Sequence, residues 1–237
     1  MSDSNLKFRH EIKYLINECD KEIIRQKISP VLALDEHTNN RQYHVRSLYF
    51  DDYSGSAYDD KINGHLVRKK YRVRVYDYNS NQIKLECKFK RDAYIHKVSA
   101  PLTKEEYYKI INNDFDFLLR REENLCKQFY FECVSRVMRP KVIVDYEREP
   151  YILEAGDVRI TFDKNIRGIS PWFDIFDDNL PSRHALEPGK LVMELKFTEF
   201  LPEIVKNSLA SRSIEMSAVS KYVICSEKLN YLTAKLY

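Results

Sequence analysis

The chain contains 237 residues, of which 43% are hydrophobic and 32% are charged. It has no run of roughly 18 consecutive apolar residues, which excludes a helical membrane-spanning protein, and its 17 Tyr and 12 Phe residues exclude a chain too polar to form a core. The 39 Lys and Arg residues nearly balance the 36 Asp and Glu residues, so the net charge of +3 identifies no class of partner.

Alternating apolar and polar residues predict strands at residues 8–16, 43–50, 66–78, 82–90, 93–100, 141–147, 151–153, 158–163 and 191–197. Helical spacing and capping residues predict helices at residues 20–29, in pieces over 103–138, and at 202–211 and 217–232. A polar loop with a short helical turn is predicted at 51–64, and a hairpin turn at 79–81. No repeat or linker interrupts this order. We therefore predict one domain over residues 1–237, an α+β protein whose antiparallel sheet is closed or nearly closed.

The first residues and the cysteines bear on the compartment and on metal chemistry. The first ten residues contain no apolar signal core, and the five Cys residues are an odd number with no C-x-x-C pair. We therefore expect a cytoplasmic protein with reduced thiols and no membrane segment of its own. The scattered Cys and His residues disfavour a transition-metal site. An oxygen-ligated Mg²⁺ or Mn²⁺ stays open, because it needs only carboxylates, water and phosphate oxygens.

Five of the predicted strands carry charge on one face. Side chains two residues apart on a strand share a face, so the strand at 66–78 aligns four basic residues, Arg68, Lys70, Arg72 and Arg74. The strands at 8–16, 82–90, 158–163 and 191–197 repeat the design, with apolar residues on the opposite face.

Two arrangements explain such strands. For one strand alone, a polar face that meets solvent is the simplest explanation. Four like charges in a row repel one another unless an anion neutralises them. In addition, five strands share the pattern of one charged and one apolar face. These two observations favour a barrel with a charged lumen and helices packed outside. Such a lumen is typical of a receptor for a multiply charged phosphate compound and a divalent cation.

Seven short motifs are similar, in consistent order, to those of the VTC (vacuolar transporter chaperone) domain, the catalytic module of polyphosphate polymerases. They are FRHEIKY at 8–14, SLYFD at 47–51, YRVR at 71–74, ECK at 86–88, VRI at 158–160, MELK at 193–196 and SKY at 220–222. The resemblance extends over residues 8–232. The wider group is the CYTH-like triphosphate tunnel metalloenzymes, so the resemblance implies an eight-stranded antiparallel β-barrel, the triphosphate tunnel.

The resemblance also implies roles for residues at matching positions. The basic residues implied to act in catalysis are Arg72, Arg74, Arg148, Arg159 and Lys221. Those implied to bind the phosphates are Lys13, Lys88, Lys97, Lys196 and Ser220, with Lys84 as an alternative to Lys88 on the same strand face. Glu194 is the implied ligand of Mn²⁺ or Mg²⁺, and Glu11 and Glu86 are supporting carboxylates.

The implied activity is metal-dependent transfer of the γ-phosphoryl group of ATP to a growing polyphosphate chain inside the tunnel. The alternatives are an inorganic tri- or polyphosphatase, and a non-catalytic polyphosphate-binding protein; the presence of Glu194 favours catalysis. We expect ATP and polyphosphate or triphosphate as ligands and no nucleic acid, because an interior charged face offers no exposed basic stripe with stacking aromatic groups. The sequence identifies no protein partner.

Overall fold

A computed structural model describes residues 9–38, 40–91, 94–198, 200–209 and 215–233. The strands are β1 (His10–Asn17), β2 (Ala33–Leu34), β3 (Tyr43–Asp51), β4 (Val67–Tyr76), β5 (Asn79–Arg91), β6 (Tyr94–Leu102), β7 (Arg139–Leu153), β8 (Val158–Ile169), β9 (Arg183–His184), β10 (Lys190–Phe197) and β11 (Glu215–Met216). The helices are α1 (Glu18–Ile28), α2 (Ser56–Ile62), α3 (Lys104–Ile111), α4 (Asn124–Ser135), α5 (Glu203–Leu209) and α6 (Lys221–Thr233).

All of these strands belong to one antiparallel sheet. Its order is β11-β1-β10-β8-β7-β3-β4-β5-β6, with β2 on β7 and β9 on β8. Strands β1, β3–β8 and β10 have eight or more residues each, and β2, β9 and β11 have two. The eight long strands confirm the predicted eight-stranded antiparallel architecture.

The sheet curls on itself. Register shifts interrupt the β3–β7 pair between Tyr49 and Phe50 and the β7–β8 pair between Asp145 and Glu147. Such irregularities bend strands and increase their twist. In the part of the chain that the structure describes, no backbone pairing joins β6 to β1. Side chains nevertheless span the gap, because Lys88 Nζ on β5 donates to both carboxylate oxygens of Glu11 on β1 at 2.8 Å. The result is a tunnel that side chains close.

Most helices pack on the outer face of the tunnel, as predicted. Helix α4 places Phe129 against Phe50 and Tyr71, with ring centroids 5.1 and 5.3 Å apart. Helix α1 buries Ile24 and Ile28 in a cluster with the outward side chains of β8 and β10. These are the apolar faces that alternate with the charged ones along the strands. Because the outer helices cover the apolar face of the sheet, the charged face of each strand is turned inward.

Helix α6 packs differently, on the inner face. Its residues Tyr222, Val223 and Cys225 share an apolar cluster with Val45 on β3 and Val192 on β10, which belong to the lumen-facing side of the sheet. The Tyr222 hydroxyl also donates to Asp51 Oδ2 at 2.5 Å. Helix α6 therefore fills part of the tunnel interior, and its first residues face the remaining space.

One predicted turn was wrong. The hairpin between β4 and β5 turns at Asp77 and Tyr78, not at residues 79–81, because Tyr76 pairs directly with Asn79. Asp77 and Tyr78 have φ values of 47° and 58°, which two-residue hairpin turns require. The turn contains no Gly. Asp77 tolerates this conformation and accepts a hydrogen bond from His44 N at 2.8 Å.

Some predicted element ends cannot be compared with the structure. Phe8, Ala93 and residues 210–211, where we predicted the start of two strands and the end of a helix, lie outside the described residues. The predicted strands at 141–147 and 151–153 are one strand, β7.

Gly168 tests how closely α6 must approach the sheet. A Cβ atom at this position on β8 would lie 2.9 Å from the carbonyl oxygen of Cys225 and 3.2 Å from its Cβ. We expect Gly168→Ala to push α6 away and to lower the free energy of unfolding by about 1–3 kcal/mol, the usual cost of overpacking. Urea denaturation measures this, with Lys164→Ala on the same strand as the control. Equal stability of the two variants would contradict the close packing of α6.

Candidate active site

The curled sheet encloses a cavity of about 690 Å³. Its wall includes side chains from all eight long strands, from α2 and from residues 217–222. The basic residues in the wall are Arg9, Lys13, Lys61, Arg68, Lys70, Arg72, Arg74, Lys88, Lys90, Lys97, Arg148, Arg159, Lys196 and Lys221. The carboxylates are Glu11, Asp157 and Glu194. The charged faces of the predicted strands therefore converge on one hollow with a large excess of positive charge.

A buried ion cluster ties helix α6 to the wall. Lys221 Nζ lies 2.6 Å from Asp163 Oδ2 and 2.7 Å from Glu194 Oε1. Arg148 donates to both carboxylate oxygens of Asp163, at 2.6 and 2.7 Å. Burial favours the neutral acids, yet the neighbouring cations outweigh it and hold the pKa values of Asp163 and Glu194 below their usual range. Both carboxylates are ionised, and Lys221 is their shared counterion.

Two arginines on β4 have fixed orientations. Arg72 Nε donates to Glu86 Oε2 at 2.7 Å and its Nη1 to the Tyr49 hydroxyl at 2.8 Å. Arg74 Nη2 donates to the Tyr146 hydroxyl at 3.2 Å, and its Nε lies 3.9 Å from Glu86 Oε2. Arg74 Nε also donates to the Ser47 hydroxyl at 3.0 Å, and Arg72 Nη2 lies 2.6 Å from Glu86 Oε2. Both arginines line the cavity. A planar fork held in this way matches the geometry of a phosphate group.

Lysines on β1 and β5 meet at the gap in the sheet. Lys13 Nζ lies 3.4 Å from Glu11 Oε1 and 3.6 Å from Glu194 Oε1, and donates to the Val219 carbonyl at 3.3 Å. Burial lowers the pKa of Lys88 to about 7, aided by Lys13, although Glu11 opposes the shift. Glu11 therefore lies between the ammonium groups of Lys13 and Lys88 and pairs with both at the gap in the sheet.

Three further predicted residues also reach the cavity. Lys196 Nζ donates to Glu194 Oε2 at 3.0 Å. Arg159 Nη2 donates to Asp35 Oδ2 at 2.9 Å and to the Tyr43 hydroxyl at 3.0 Å. Ser220, directly before α6, lines the wall beside the start of that helix, where backbone N–H groups favour anions.

Most of the predicted site residues are brought together. The cavity wall contains Lys13, Arg72, Arg74, Lys88, Lys97, Arg148, Arg159, Lys196, Ser220, Lys221, Glu11 and Glu194. Lys84 and Glu86 are not part of it. Lys84 lies opposite Arg74 in the β4–β5 register, whereas Lys88, four residues further along the same face, reaches Glu11. Of these two lysines, Lys88 lines the cavity and Lys84 does not.

The predicted site omitted several residues of this arrangement, among them Arg9, Lys61, Arg68, Lys70, Lys90 and Asp157 in the wall and Asp163 beside it. Asp163 is fully buried between Arg148 and Lys221, and Lys70 lines the wall beside Ser220. Asp163 and Lys70 lie on strand faces whose charge is evident from the alternation of polar and apolar residues. That alternation does not show which charged residue serves as a counterion and which faces a ligand. Lys61 comes from α2, in the segment predicted as a polar loop with a short helical turn. No strand periodicity could have identified it.

The carboxylates differ in their fit to a divalent metal ion. The described residues contain no group of three Asp, Glu, His or Cys side chains that could hold a metal. Glu194 and Glu11, which share Lys13 as a neighbour, offer oxygen ligands that suit Mg²⁺ or Mn²⁺ if phosphate oxygens and water complete the shell. Glu86 fits less well, because it is not part of the cavity wall. All three carboxylates are paired with cations through both oxygens: Glu86 with Arg72 and Lys97, Glu11 with Lys88, and Glu194 with Lys221 and Lys196. A metal ion at Glu11 or Glu194 would therefore have to replace these ammonium groups.

Comparisons with known proteins identify the family. The profile of the VTC domain matches residues 8–230. The chain belongs to the VTC domain family. No curated protein sequence matches this VTC domain. None of the helices in the described ranges is long and apolar enough to cross a membrane.

Solved structures share the fold at low sequence identity. The PH1819 protein of Pyrococcus horikoshii OT3 is 14% identical, with a TM-score of 0.51 over 93% of this chain and 99% of its own. HpAC1 from Hippeastrum, an adenylyl cyclase candidate with a dominant triphosphatase activity, is 13% identical, with a TM-score of 0.56 over 93% and 95%. The VTC domain described here therefore has a triphosphate tunnel fold.

Lys221→Met tests the buried ion cluster. The substitution leaves Asp163 and Glu194 with one fewer counterion, so we expect the free energy of unfolding at pH 7 to fall by about 3–5 kcal/mol. Lys221 lowers the pKa of both carboxyl groups in the folded state. Its contribution is therefore present above the carboxyl pKa of the unfolded chain, about 4, and is lost as pH falls further.

Urea denaturation at pH 7 and in steps from about pH 4 down to about pH 2.5 measures both effects. We expect the stability difference between Lys221→Met and the wild type to narrow progressively below about pH 4. Lys228→Met, on the exposed side of the same helix, is the control and should change stability by less than about 0.5 kcal/mol. A pH-independent difference would mean that Lys221 acts through packing instead of charge.

Proposed function

We propose that this VTC domain transfers the γ-phosphoryl group of ATP to a growing polyphosphate chain inside the tunnel. The observation that carries the proposal is the charge of the cavity in the curled sheet. Fourteen Lys and Arg side chains line it, and six carboxylates of the described residues pair with them: Glu11, Asp157 and Glu194 in the wall, and Asp35, Glu86 and Asp163 outside it. The remaining excess of positive charge favours a polyanionic ligand. Family membership supports phosphate chemistry in particular.

The tunnel side chains suit phosphoryl transfer because this reaction needs alignment and charge neutralisation more than covalent catalysis. Arg72 and Arg74 are oriented before a ligand binds, and Arg148 is fixed by Asp163. Their guanidinium groups would hold the phosphate oxygens and stabilise the charge that develops in the transition state. Arg159 would act similarly at the Asp35 end of the cavity.

The reaction requires no protein nucleophile. An oxygen of the terminal phosphate of the chain attacks the γ-phosphorus of ATP, the bond from that phosphorus to the β–γ bridging oxygen breaks, and ADP leaves. Glu194, with Glu11, would hold a divalent ion, which supplies further neutralisation of phosphate charge when bound. Lys221 and Lys196 contact Glu194 and line the cavity, where they would also contact phosphate.

Hydrolysis of triphosphate or polyphosphate is the second candidate. It would use the same basic wall with water in place of the phosphate acceptor. The triphosphatase activity of HpAC1, which shares the fold, favours this alternative. A phosphate-binding protein without turnover is the third, and the presence of Glu194 in the cavity wall disfavours it.

One assay separates the three. Purified protein is incubated with Mn²⁺ and ATP labelled at the γ-phosphate, and the products are resolved on a gel. We expect a ladder of labelled polyphosphate. Free labelled phosphate alone would instead identify a hydrolase, and ATP binding without either product would identify a binding protein.

Two substitutions test whether Arg74 and Glu194 contribute to turnover. We expect Arg74→Ala and Glu194→Ala each to lower turnover by about 100-fold or more, because each removes a charge that neutralises or positions phosphate. Arg120→Ala, on the exposed end of a 3-10 turn outside the cavity, should leave turnover unchanged. Circular dichroism confirms that each variant is folded. Full activity of a folded Arg74→Ala or Glu194→Ala protein would refute the assignment of that residue.

A further inference from the structure

The start of helix α6 places a hydroxyl group beside a half-buried lysine inside the tunnel. Lys70 Nζ on β4 donates to the Ser220 hydroxyl at 3.1 Å, and both residues line the cavity. Ser220 directly precedes α6, and its carbonyl accepts a hydrogen bond from Ile224 N at 3.0 Å in the first turn of the helix. A serine hydroxyl within hydrogen-bond reach of an amine is an arrangement in which the amine can activate the hydroxyl as a nucleophile.

Lys70 differs from the other lysines around the start of α6 in its partners. Those that lie within 4.0 Å of a Glu194 oxygen are Lys13, Lys196 and Lys221. No carboxylate of the described residues lies that close to Lys70. Its Nζ instead contacts the Ser220 hydroxyl and lies 5.0 Å from the centre of the Tyr222 ring. Lys70 therefore lacks the counterion that keeps the other lysines charged.

The surroundings of Lys70 favour its neutral form. The charges with the largest effect on it are four cations: Lys13 on β1, Lys61 on α2, Arg68 on the same strand and Lys88 opposite on β5. Burial and these cations lower the pKa of Lys70 to about 7. A large fraction of Lys70 is therefore a neutral amine near pH 7. A neutral amine can accept the proton of the Ser220 hydroxyl across the 3.1 Å contact.

A phosphoryl group on Ser220 would also be stabilised where it forms. Backbone N–H groups at the N-terminus of α6 favour an anion, and a phosphoserine at such a position gains charge-assisted hydrogen bonds from neighbouring cations. Lys221 is the next residue, and Lys13 Nζ donates to the carbonyl of Val219, the preceding residue, at 3.3 Å. Lys221 Nζ lies 2.7 Å from Glu194 Oε1, so Ser220 is next to the proposed position of the divalent ion and the ATP phosphates.

We propose that Ser220 is a self-phosphorylation site, which accepts the γ-phosphoryl group of ATP with Lys70 as the general base. A bond forms between Ser220 Oγ and the γ-phosphorus, and the bond from that phosphorus to the β–γ bridging oxygen breaks. The bridging oxygen keeps the electron pair, and ADP leaves. The hydroxyl proton passes to Lys70 Nζ, which becomes an ammonium group.

This site deepens the proposed function and rests on it, because that function brings the phosphates of ATP into the tunnel. Transfer to an existing polyphosphate chain needs no nucleophile from the protein. The first phosphoryl group, however, has no chain to join. Ser220 supplies an acceptor in the tunnel wall for that first transfer.

Covalent labelling tests the site. Purified protein is incubated with Mn²⁺ and ATP labelled at the γ-phosphate, without added polyphosphate, and is then denatured and heated in acid. Phosphoserine survives this treatment, whereas the anhydride bonds of polyphosphate and the phosphorus–nitrogen bond of a phosphorylated lysine do not. We expect acid-stable label on the protein, and peptide mass spectrometry should locate it at Ser220.

Two variants of Ser220 and a matched control examine the acceptor. Ser220→Ala should lose the acid-stable label, and Ser220→Thr, which keeps a hydroxyl group, should restore it at the same position. The control is Ser217→Ala, which removes another hydroxyl group from the cavity wall and should label like the wild type. Circular dichroism verifies that each variant is folded.

Lys70→Arg separates a general base from a phosphate contact. Arginine keeps the positive charge but does not give up its proton near neutral pH. We expect the rate of Ser220 labelling to fall by about 100-fold or more, the usual contribution of a general base. Lys69→Arg, on the exposed outer face of the same strand, is the control and should label at the wild-type rate.

The pH dependence of labelling is a second measure of the base. Only the neutral amine accepts a proton, so the wild-type rate should rise with pH and level off above the pKa of Lys70. The midpoint should lie at or above about 7, because the negative charge of bound ATP raises that pKa. Lys70→Arg should lack this rise.

Other outcomes overturn the site and the function separately. A wild-type protein that forms polyphosphate or free phosphate without label at Ser220, or acid-stable label that persists in Ser220→Ala, refutes the acceptor and leaves the proposed function standing. Equal labelling of Lys70→Arg and the wild type refutes the base. Label at Ser220 without a polyphosphate ladder refutes chain growth and leaves the acceptor standing. A wild type that yields neither label nor any product from ATP refutes both.

Discussion

The cost of enclosing positive charge constrains this fold. A sheet that curls inward with Arg and Lys on its concave face removes those groups from water, which is unfavourable unless each gains a counterion or stays partly hydrated. Six carboxylates of the described residues pair with the tunnel cations: Glu11, Asp35, Glu86, Asp157, Asp163 and Glu194. Four of them, Glu11, Glu86, Asp163 and Glu194, lie on strand faces that also carry cations. The alternation of charge sign along these strands is therefore a condition of folding as well as a feature of the site.

Helix α6 depends on the same constraint. Its apolar residues pack on the inner face of the sheet, yet its first residue, Lys221, is bound by Asp163 and Glu194 from two strands. The hydroxyl of Tyr222, the next residue, bonds Asp51 at the end of β3, which also holds α2. Polar contacts thus position the start of the helix, and apolar contacts position the rest. This explains how a helix with Ser and Lys at its start can occupy a tunnel interior.

The alternation of polar and apolar residues predicted the strands and their charged faces, because it is a local property of the sequence. A charged lumen follows from these faces once the sheet curls and turns them inward. Pairing across the tunnel is not local. The sequence could not show that Glu86 pairs with Arg72 and Lys97, or that Lys88 pairs with Glu11, because both contacts depend on which side chain lies opposite. Lys61 and the Asp77–Tyr78 turn were not predicted for another reason. Lys61 lies on a short helix and not on a strand with alternating charges, and the turn has positive φ values but no Gly.

Paired and unpaired cations contribute differently to a ligand site. An arginine fixed by a carboxylate, such as Arg148, keeps its geometry whether or not a ligand is bound, and so supplies alignment. A lysine without a carboxylate partner, such as Lys70, is destabilised in its charged form by burial and by neighbouring cations. A bound anion would remove this cost, so such a lysine would contribute to the affinity for an anionic ligand. The net charge of the whole chain is only +3, so it does not reveal this site. The excess of positive charge in the cavity arises because Lys and Arg residues are concentrated on the inner face of the sheet. Charge placement by strand face, and not the total charge, therefore determines what this tunnel can bind.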